Sequence, residues 1–339
     1  MVVSSAPRII ARDASVLATL APLAPYLDDP DVFEIRVNKF CQVVAVTTTG
    51  RALHNDPAIS QAYLEKLTNT LLSWNGLGRR PINNVLLPDG SRGIICWPPA
   101  VLEGTILIAI RKHLAVNKSL ETLRDEGRFQ GWQRKTQADL TTLEPFEEDL
   151  LARLEADDLV GFLRLAVTSK RNIAVSGKTG SGKSTLTRTL LNEVPRTERV
   201  LLMEDVHEVA SENQDEVGYM MYGSQEGRIS AAECLKACMR LSPDRIFMTE
   251  LRDDAAWDYL AGANTGHPGG IFSTHADSAA TTPSRIATLV KASEVGRLLD
   301  YGVIMKTINT TLDVVVYMED RQIKEVLYDP IFRKQQLTA

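Results

Sequence analysis

At 339 residues the chain is long for one hydrophobic core, and two domains are expected. Apolar residues at 44% and charged residues at 24% describe an ordinary globular protein, neither disordered nor fibrous. The formal charge of -5 argues against a surface built mainly for nucleic acid, and no direct sequence-specific nucleic-acid binding is expected.

The first residues, "MVVSSAPRIIARD", lack the charged start and long apolar core of a secretory signal, so a cytoplasmic protein is expected. Two short β-rich runs, "VFEIRV" and "QVVAVTT", read as a hairpin. In "AISQAYLEKLTNTLLSW", Ile59, Tyr63, Leu67 and Leu71 recur every four residues and mark an amphipathic helix. "NNVLLPDGSRGIICW" reads as strand, Asp-Gly turn and strand, and "TILIAIRKH" as a further strand. Residues 1–115 are therefore expected to form a small α+β N-terminal domain with an antiparallel sheet. The most apolar stretch, "GIICWPPAVLEGTILIAI", is broken by Pro98, Pro99, Glu103 and Gly104, short of the roughly 18 residues of a membrane span.

Residues 116–147 are polar in their second half and weakly periodic, the pattern of an interdomain linker or of a surface excursion from one domain. From 148 to 339 the pattern alternates. Helical "LLARLEADDLVGFLRLAV" leads into the strand "NIAVSG", and the strands "VLLMED", "IFMTE" and "GIFSTHA" follow between helical stretches. Apolar strands bounded by helices indicate an α/β domain with a mostly parallel, doubly wound sheet. Cys234 and Cys238, one helical turn apart, fit small buried hydrophobes, and with Cys41 and Cys96 they form no CxxC site.

Between a strand and a helix, "GKTGSGKS" matches the spacing G-x-x-x-x-G-K-[ST]. Gly177, Gly180 and Gly182 permit backbone shapes that turn main-chain N–H groups toward an anion, alongside Thr179, Ser181 and Thr185. The following helix, with Leu186, Leu190 and Leu191 on its buried side, aims its positive end at the same point. Lys183 is expected to reach the β- and γ-phosphates of ATP, and the Ser184 hydroxyl to bind Mg²⁺. Splitting the triphosphate also needs carboxylates for the metal's water shell and the attacking water. Two acidic clusters end predicted strands: Glu204, Asp205 and Glu208 in "LLMEDVHE", and Glu250 in "RIFMTELRDD". His267 and His275 belong to "NTGHPGGIFSTHA", and no histidine pair has the spacing of a metal site.

In this order, "GKTGSGKS", "MEDVHE", "LSPDRIFMTELRD" and "ANTGHPGGIFSTHA" resemble the secretion-ATPase superfamily, and within it the VirB-eleven-type ATPases of bacterial type IV secretion systems. That resemblance implies a RecA-like P-loop NTPase domain behind the smaller α+β domain. It implies that Glu208 and Glu250 position the attacking water near Mg²⁺, with Glu204 and Asp205 supporting the metal. It makes His275 a γ-phosphate sensor and His267 a link to neighbouring elements. Arg92 and Arg111 are similar to arginines that cover the nucleotide from the N-terminal domain, and Arg240 is a further candidate. Ser242 stands where many relatives carry a second arginine.

The resemblance further implies a homohexamer on the cytoplasmic face of the inner membrane. Its partners would be other ATPases and inner-membrane components of the secretion apparatus, and its cargo a secreted protein or DNA–protein complex. Hydrolysis would swing one domain against the other, and the long linker implies domains swapped between neighbouring subunits. A type II secretion or pilus motor is the nearest alternative, weakened by the missing pair of CxxC motifs and by "EDVHE" in place of "EDPIE". A nucleotide-gated scaffold and a DNA-dependent motor are the alternatives from other classes.

Overall fold

A computed structural model describes residues 9–113, 118–136, 138–223, 227–263 and 266–338. Residues 1–8 of the segment read for a signal, residues 116, 117 and 137 of the expected linker, and Asn264 and Thr265 of the histidine motif lie outside the described residues. The described residues fall into two compact units, one mainly from the chain up to 113 and one mainly from 118 onward.

In the first unit, helix α1 (Ile9–Leu20) and the single turn α2 (Ala24–Leu27) precede strands β1 (Val32–Val37), β2 (Gln42–Thr47) and β3 (Gly50–Asn55). Helix α3 (Gln61–Asn75) then leads to β4 (Ile82–Leu86), β5 (Arg92–Cys96) and β6 (Leu107–Arg111). The strands pair antiparallel in the order β3-β2-β1-β6-β5-β4. Ser60 caps α3 by accepting the Tyr63 N–H, and Gly76, at φ 69°, ends it in the left-handed conformation that favours glycine. The buried stripe of α3 is Leu64, Leu67 and Leu71, each at 0% exposure, whereas Ile59 is buried ahead of the helix and Tyr63 is half-buried. A helix turns once per 3.6 residues, so the strict four-residue spacing drifts off the core face.

The second unit begins with α4 (Leu120–Asp125), inside the expected linker, followed by α5 (Pro145–Glu155) and α6 (Leu159–Thr168). The single helical run expected over 150–167 is broken between these two. Asp157 takes φ 56°, and the Asp158 carboxylate accepts the Gly161 N–H at 2.9 Å to start α6. Next come β7 (Ile173–Gly177), α7 (Lys183–Asn192), β8 (Val200–Glu204), β9 (Val217–Met221), α8 (Ala231–Arg240) and β10 (Arg245–Met248). After them follow α9 (Asp253–Ala263), β11 (Ile271–Thr274), α10 (Thr282–Ala292), α11 (Tyr301–Thr311), the hairpin β12 (Val314–Glu319) and β13 (Gln322–Leu327), and α12 (Pro330–Thr338). The sheet order is β13-β12-β7-β11-β10-β8-β9, parallel throughout except for the β12–β13 hairpin.

Strands β7, β8, β10 and β11 are buried along their whole length, so both faces of the sheet are covered. Val175, Leu191, Leu202, Phe247, Ile271 and Val316, all at 0% exposure, form the centre of this core. Cys234 and Cys238 are buried in α8, as expected for small apolar side chains. Among the described residues no helix is long and apolar enough to cross a membrane.

A charge also stands in this core. The Arg245 guanidinium, fully buried at the start of β10, bonds Glu198 at 2.6 Å and donates to the Val167 carbonyl at 2.7 Å. Removing one partner of such a pair strands the other charge, while replacing both with apolar groups is close to neutral. Glu198→Ala is therefore expected to lower the unfolding free energy by about 3–5 kcal/mol in urea titration. The double variant Glu198→Ala/Arg245→Met should recover most of that loss. Equal losses in the two would contradict the assignment.

Candidate functional site

Strands β7, β11, β10 and β8 are consecutive neighbours running in one direction, so their carboxyl ends open along one edge of the sheet. Open α/β sheets bind ligands along that edge. A cleft of about 1060 Å³ lies there, lined by Thr179, Gly180, Gly182, Lys183, Ser184 and Thr185 from the loop after β7, and by Asp205, Glu208, Glu250 and His275 from the other strand ends.

The loop's shape follows from its glycines. Gly177 sits at φ 147° beside Met318 of β12, its partner in the sheet register. A Cβ at Gly177 would stand 2.2 Å from the Met318 carbonyl oxygen and 2.7 Å from Ser181 Oγ, so no side chain fits. Gly182 takes φ 97° at the N-cap of α7, which points its free N–H groups at the cleft. The Lys183 ammonium donates to the carbonyls of Gly177 and Lys178, both at 2.8 Å, and is held at the loop's mouth. Burial pushes its pKa below the ordinary lysine value, and the nearby charge of Glu250 opposes that shift. Ser181 is 4% exposed, and among the described residues its Oγ has no hydrogen-bond partner. Its side chain packs beneath the loop against Gly177, which leaves the cleft-facing wall of the loop to Thr179, Gly180, Gly182 and Lys183. The Ser184 hydroxyl is exposed at the cleft wall.

Opposite the loop stand the carboxylates. Arg252 donates to Asp205 at 2.5 Å and to Glu250 at 3.2 Å, tying the ends of β8 and β10 together. The other Glu250 oxygen faces His275 Nε2 at 3.5 Å. Glu250 is thus held between a guanidinium and an imidazole, with Lys183 on the loop side. Glu208 also lines the cleft, and the Arg188 guanidinium donates to its carbonyl oxygen.

Glu204 is placed differently from the metal-ligand role expected of it. It is fully buried, one oxygen accepts the N–H groups of Glu208 and Val209 at 3.0 and 2.9 Å, and the other lies 2.7 Å from His207 Nδ1. The His207 ring meets Tyr219 edge-on at 4.7 Å between centroids. With its oxygens taken up this way, Glu204 shapes the turn that presents Asp205 and Glu208. His267 does not line the cleft; its Nδ1 lies 3.3 Å from the Pro243 carbonyl. Arg240 closes α8 with its side chain exposed, and Ser242 follows at φ 55°. Arg92 and Arg111 belong to the first unit's sheet, where they face each other across β5 and β6, and Glu34 lies 4.0 Å from Arg111.

Two cations here were not anticipated. Arg252 was legible in "ELRDD" as a positive charge two residues beyond a strand-end glutamate. Arg321, which also lines the cleft, comes from the β12–β13 hairpin, whose turn "EDRQ" carries no glycine or asparagine to announce it.

A phosphate loop at the carboxyl edge of a mostly parallel sheet, faced by carboxylates from the next strands, is the build of a P-loop nucleoside triphosphatase. The family model described as "Type II/IV secretion system protein" matches residues 146–323. The type IV secretion system protein VirB11 of Brucella suis biovar 1 (strain 1330) is 35% identical over 336 residues, covering 95% of this chain and 92% of that protein. VirB11 of Agrobacterium fabrum (strain C58) is 32% identical over 312 residues, covering 90% of this chain and 89% of its own. The crystal structure of the Brucella suis VirB11 ATPase in complex with sulphate superposes with a TM-score of 0.90 at 33% identity, over 97% of this chain and 99% of that one. The chain belongs to the VirB11 family of type IV secretion ATPases.

Glu204 separates scaffold from chemistry experimentally. Glu204→Gln keeps an acceptor for the two amides and is expected to hold ATP turnover within about threefold of the parent. Glu204→Ala leaves both N–H groups without their acceptor and should cut turnover at least tenfold and lower stability by about 2–3 kcal/mol. A Gln variant as inactive as Glu250→Gln would return Glu204 to the chemical step.

Proposed function

We propose that the chain is a motor that hydrolyses ATP to drive assembly of a bacterial type IV secretion apparatus and passage of protein or DNA–protein cargo through it. The observation that carries this reading is the gathering of Lys183, Asp205, Glu208, Glu250 and His275, distant in sequence, around one cleft on the phosphate loop.

In this reading the amides of residues 179–185 and the Lys183 ammonium bind the triphosphate tail, and Lys183 exchanges its two loop carbonyls for phosphate oxygens. Among the described residues no group of three His, Cys, Asp or Glu would hold a metal unaided. Mg²⁺ suits such a site, because it binds through substrate phosphates, waters and one or two protein oxygens. Here the protein oxygens would be those of Ser184 and, through water, Asp205 and Glu250. Bound Mg²⁺ would draw negative charge off the phosphates and fix their orientation.

Glu250 orients the attacking water and accepts its proton, with Glu208 as the second carboxylate. His275, on the far side of Glu250, registers the γ-phosphate and its loss. His267 links that state to neighbouring elements. Arg92 and Arg111 are proposed as further cations for the nucleotide's phosphates, where a guanidinium offsets charge in the transition state. Each subunit works within a homohexamer, docked through partner proteins on the cytoplasmic face of the inner membrane.

Lys183→Ala should abolish phosphate release and weaken ATP binding at least a hundredfold, as read by titration calorimetry. Glu250→Gln should retain ATP while phosphate release falls by about 10²–10³. Unimpaired hydrolysis in Glu250→Gln would assign the water to another carboxylate. Light scattering with ATP and Mg²⁺ should report a sixfold assembly; a monomer under every nucleotide condition would overturn the ring.

A further inference from the structure

At the amino ends of β7 and β12, away from the cleft, lies a second charged cluster that the chemistry above does not use. Its two carboxylates, Glu147 of α5 and Asp313 just ahead of β12, are 2% and 9% exposed. Most of the cations that meet them come from the last helix. Lys334 Nζ lies 2.9 Å from Glu147 Oε2, and Arg333 reaches both acids, at 3.8 Å from Glu147 Oε1 and 3.0 Å from Asp313 Oδ1. Arg171, ahead of β7, adds a contact to Asp313 at 3.3 Å and lies 4.7 Å over the Phe146 ring. Burial pushes the Asp313 pKa above the ordinary carboxylate value, opposed first by Arg333 and then by Arg171.

The helix that brings these cations is inverted. A helix ordinarily docks through an apolar stripe and turns its charges to water. In α12 the Lys334 side chain is buried, Arg333 is mostly so, and Ile331, Phe332 and Leu337 are about half exposed. Of its apolar residues only Pro330 is buried. At nine residues α12 is too short to hold its form alone, so its order depends on this charged attachment and on Asp329, which accepts the Phe332 N–H at 2.8 Å. What it attaches to is the end of the expected linker. The Glu147 oxygen that meets Lys334 also accepts the Glu144 N–H at 2.9 Å and fixes the first turn of α5. The short turn Ala138–Leu140 packs against α12 as well. One carboxylate thus starts α5 and fastens the last helix.

We propose that α12 is a clasp that fastens the last part of the linker to the second unit and so sets how much of the linker is free. With the clasp closed, the chain is tied down from residue 138 onward. With it open, residues 138–144 join the free segment and add a reach of up to about 25 Å when extended. The clasp opens as one piece, because Arg333 and Lys334 leave their carboxylates together and little apolar surface holds the helix back. Such small units, poor in buried apolar contacts, open locally while the core stays folded. The inference does not depend on what the cleft binds.

The test is amide hydrogen exchange, read by mass spectrometry on the full-length protein and two variants. Lys334→Glu sets a carboxylate against Glu147 and should speed exchange at least about tenfold in both 138–148 and 330–338, with β7 and β11 within about twofold of the parent. Lys334→Arg keeps the charge and should exchange within about twofold of the parent throughout. In the parent itself the slowest amides of the two segments should share one protection factor within about threefold, a check that needs no variant to fold. Release of 330–338 with 138–148 unchanged would show that α12 does not hold the linker. A rise in β7 and β11 equal to that in the two segments would make the cluster a general stabiliser and overturn the clasp. Unequal protection of the two segments in the parent would overturn it too.

Discussion

The site depends on a contact too close for a side chain. Gly177 ends β7 with its α-carbon pressed against the Met318 carbonyl of the neighbouring strand β12, leaving 2.2 Å where a Cβ would go. That contact fixes where the chain leaves the sheet, and therefore where the loop turns and where α7 begins. Everything that would grip a phosphate follows from it: the loop amides, the helix dipole and the Lys183 ammonium. Met318 lies beside the loop on one side, and its hairpin carries Arg321 round to the cleft rim. One packing constraint therefore sets the phosphate loop and the hairpin beside it together.

Across the cleft the organising force is electrostatic. Asp205, Glu250 and Arg252 gather opposite charges at the ends of adjacent strands, with the His275 imidazole beside Glu250 and the Lys183 ammonium across the cleft. Two carboxylates so close would repel, and the Arg252 guanidinium relieves that by bonding to both. The fully buried Glu204 works behind them as an acceptor for the turn that carries Asp205 and Glu208. The acidic residues thus divide into those that face the cleft and one that shapes the backbone presenting them. A single acidic motif, "MEDVHE", supplies both kinds.

Much of this was legible in the sequence. The phosphate loop was readable because its glycines and Lys-Ser pair answer a backbone requirement that few other sequences meet. Strands β7, β8, β10 and β11 announced themselves as uninterrupted apolar runs, since they are covered on both faces. What stayed hidden lacked a local signal. Strand β3 is exposed along its whole length and carries no hydrophobic alternation. The β12–β13 turn uses Asp320 and Arg321 where glycine or asparagine is usual, so the hairpin and its cleft residues went unread. Spacing could place Glu204 at a strand end, but not show that the fold turns its carboxylate inward onto two amides. Burial and hydrogen bonding are decided by the whole sheet, not by a motif of six residues.

The most direct measurement of the central claim is the affinity of Gly177→Ala for ATP with Mg²⁺, by calorimetry, alongside a circular dichroism spectrum. If the Gly177–Met318 contact sets the phosphate cradle, the spectrum stays that of the parent while affinity falls at least a hundredfold. A variant that binds ATP as tightly as the parent would show that the triphosphate is held by something other than this loop.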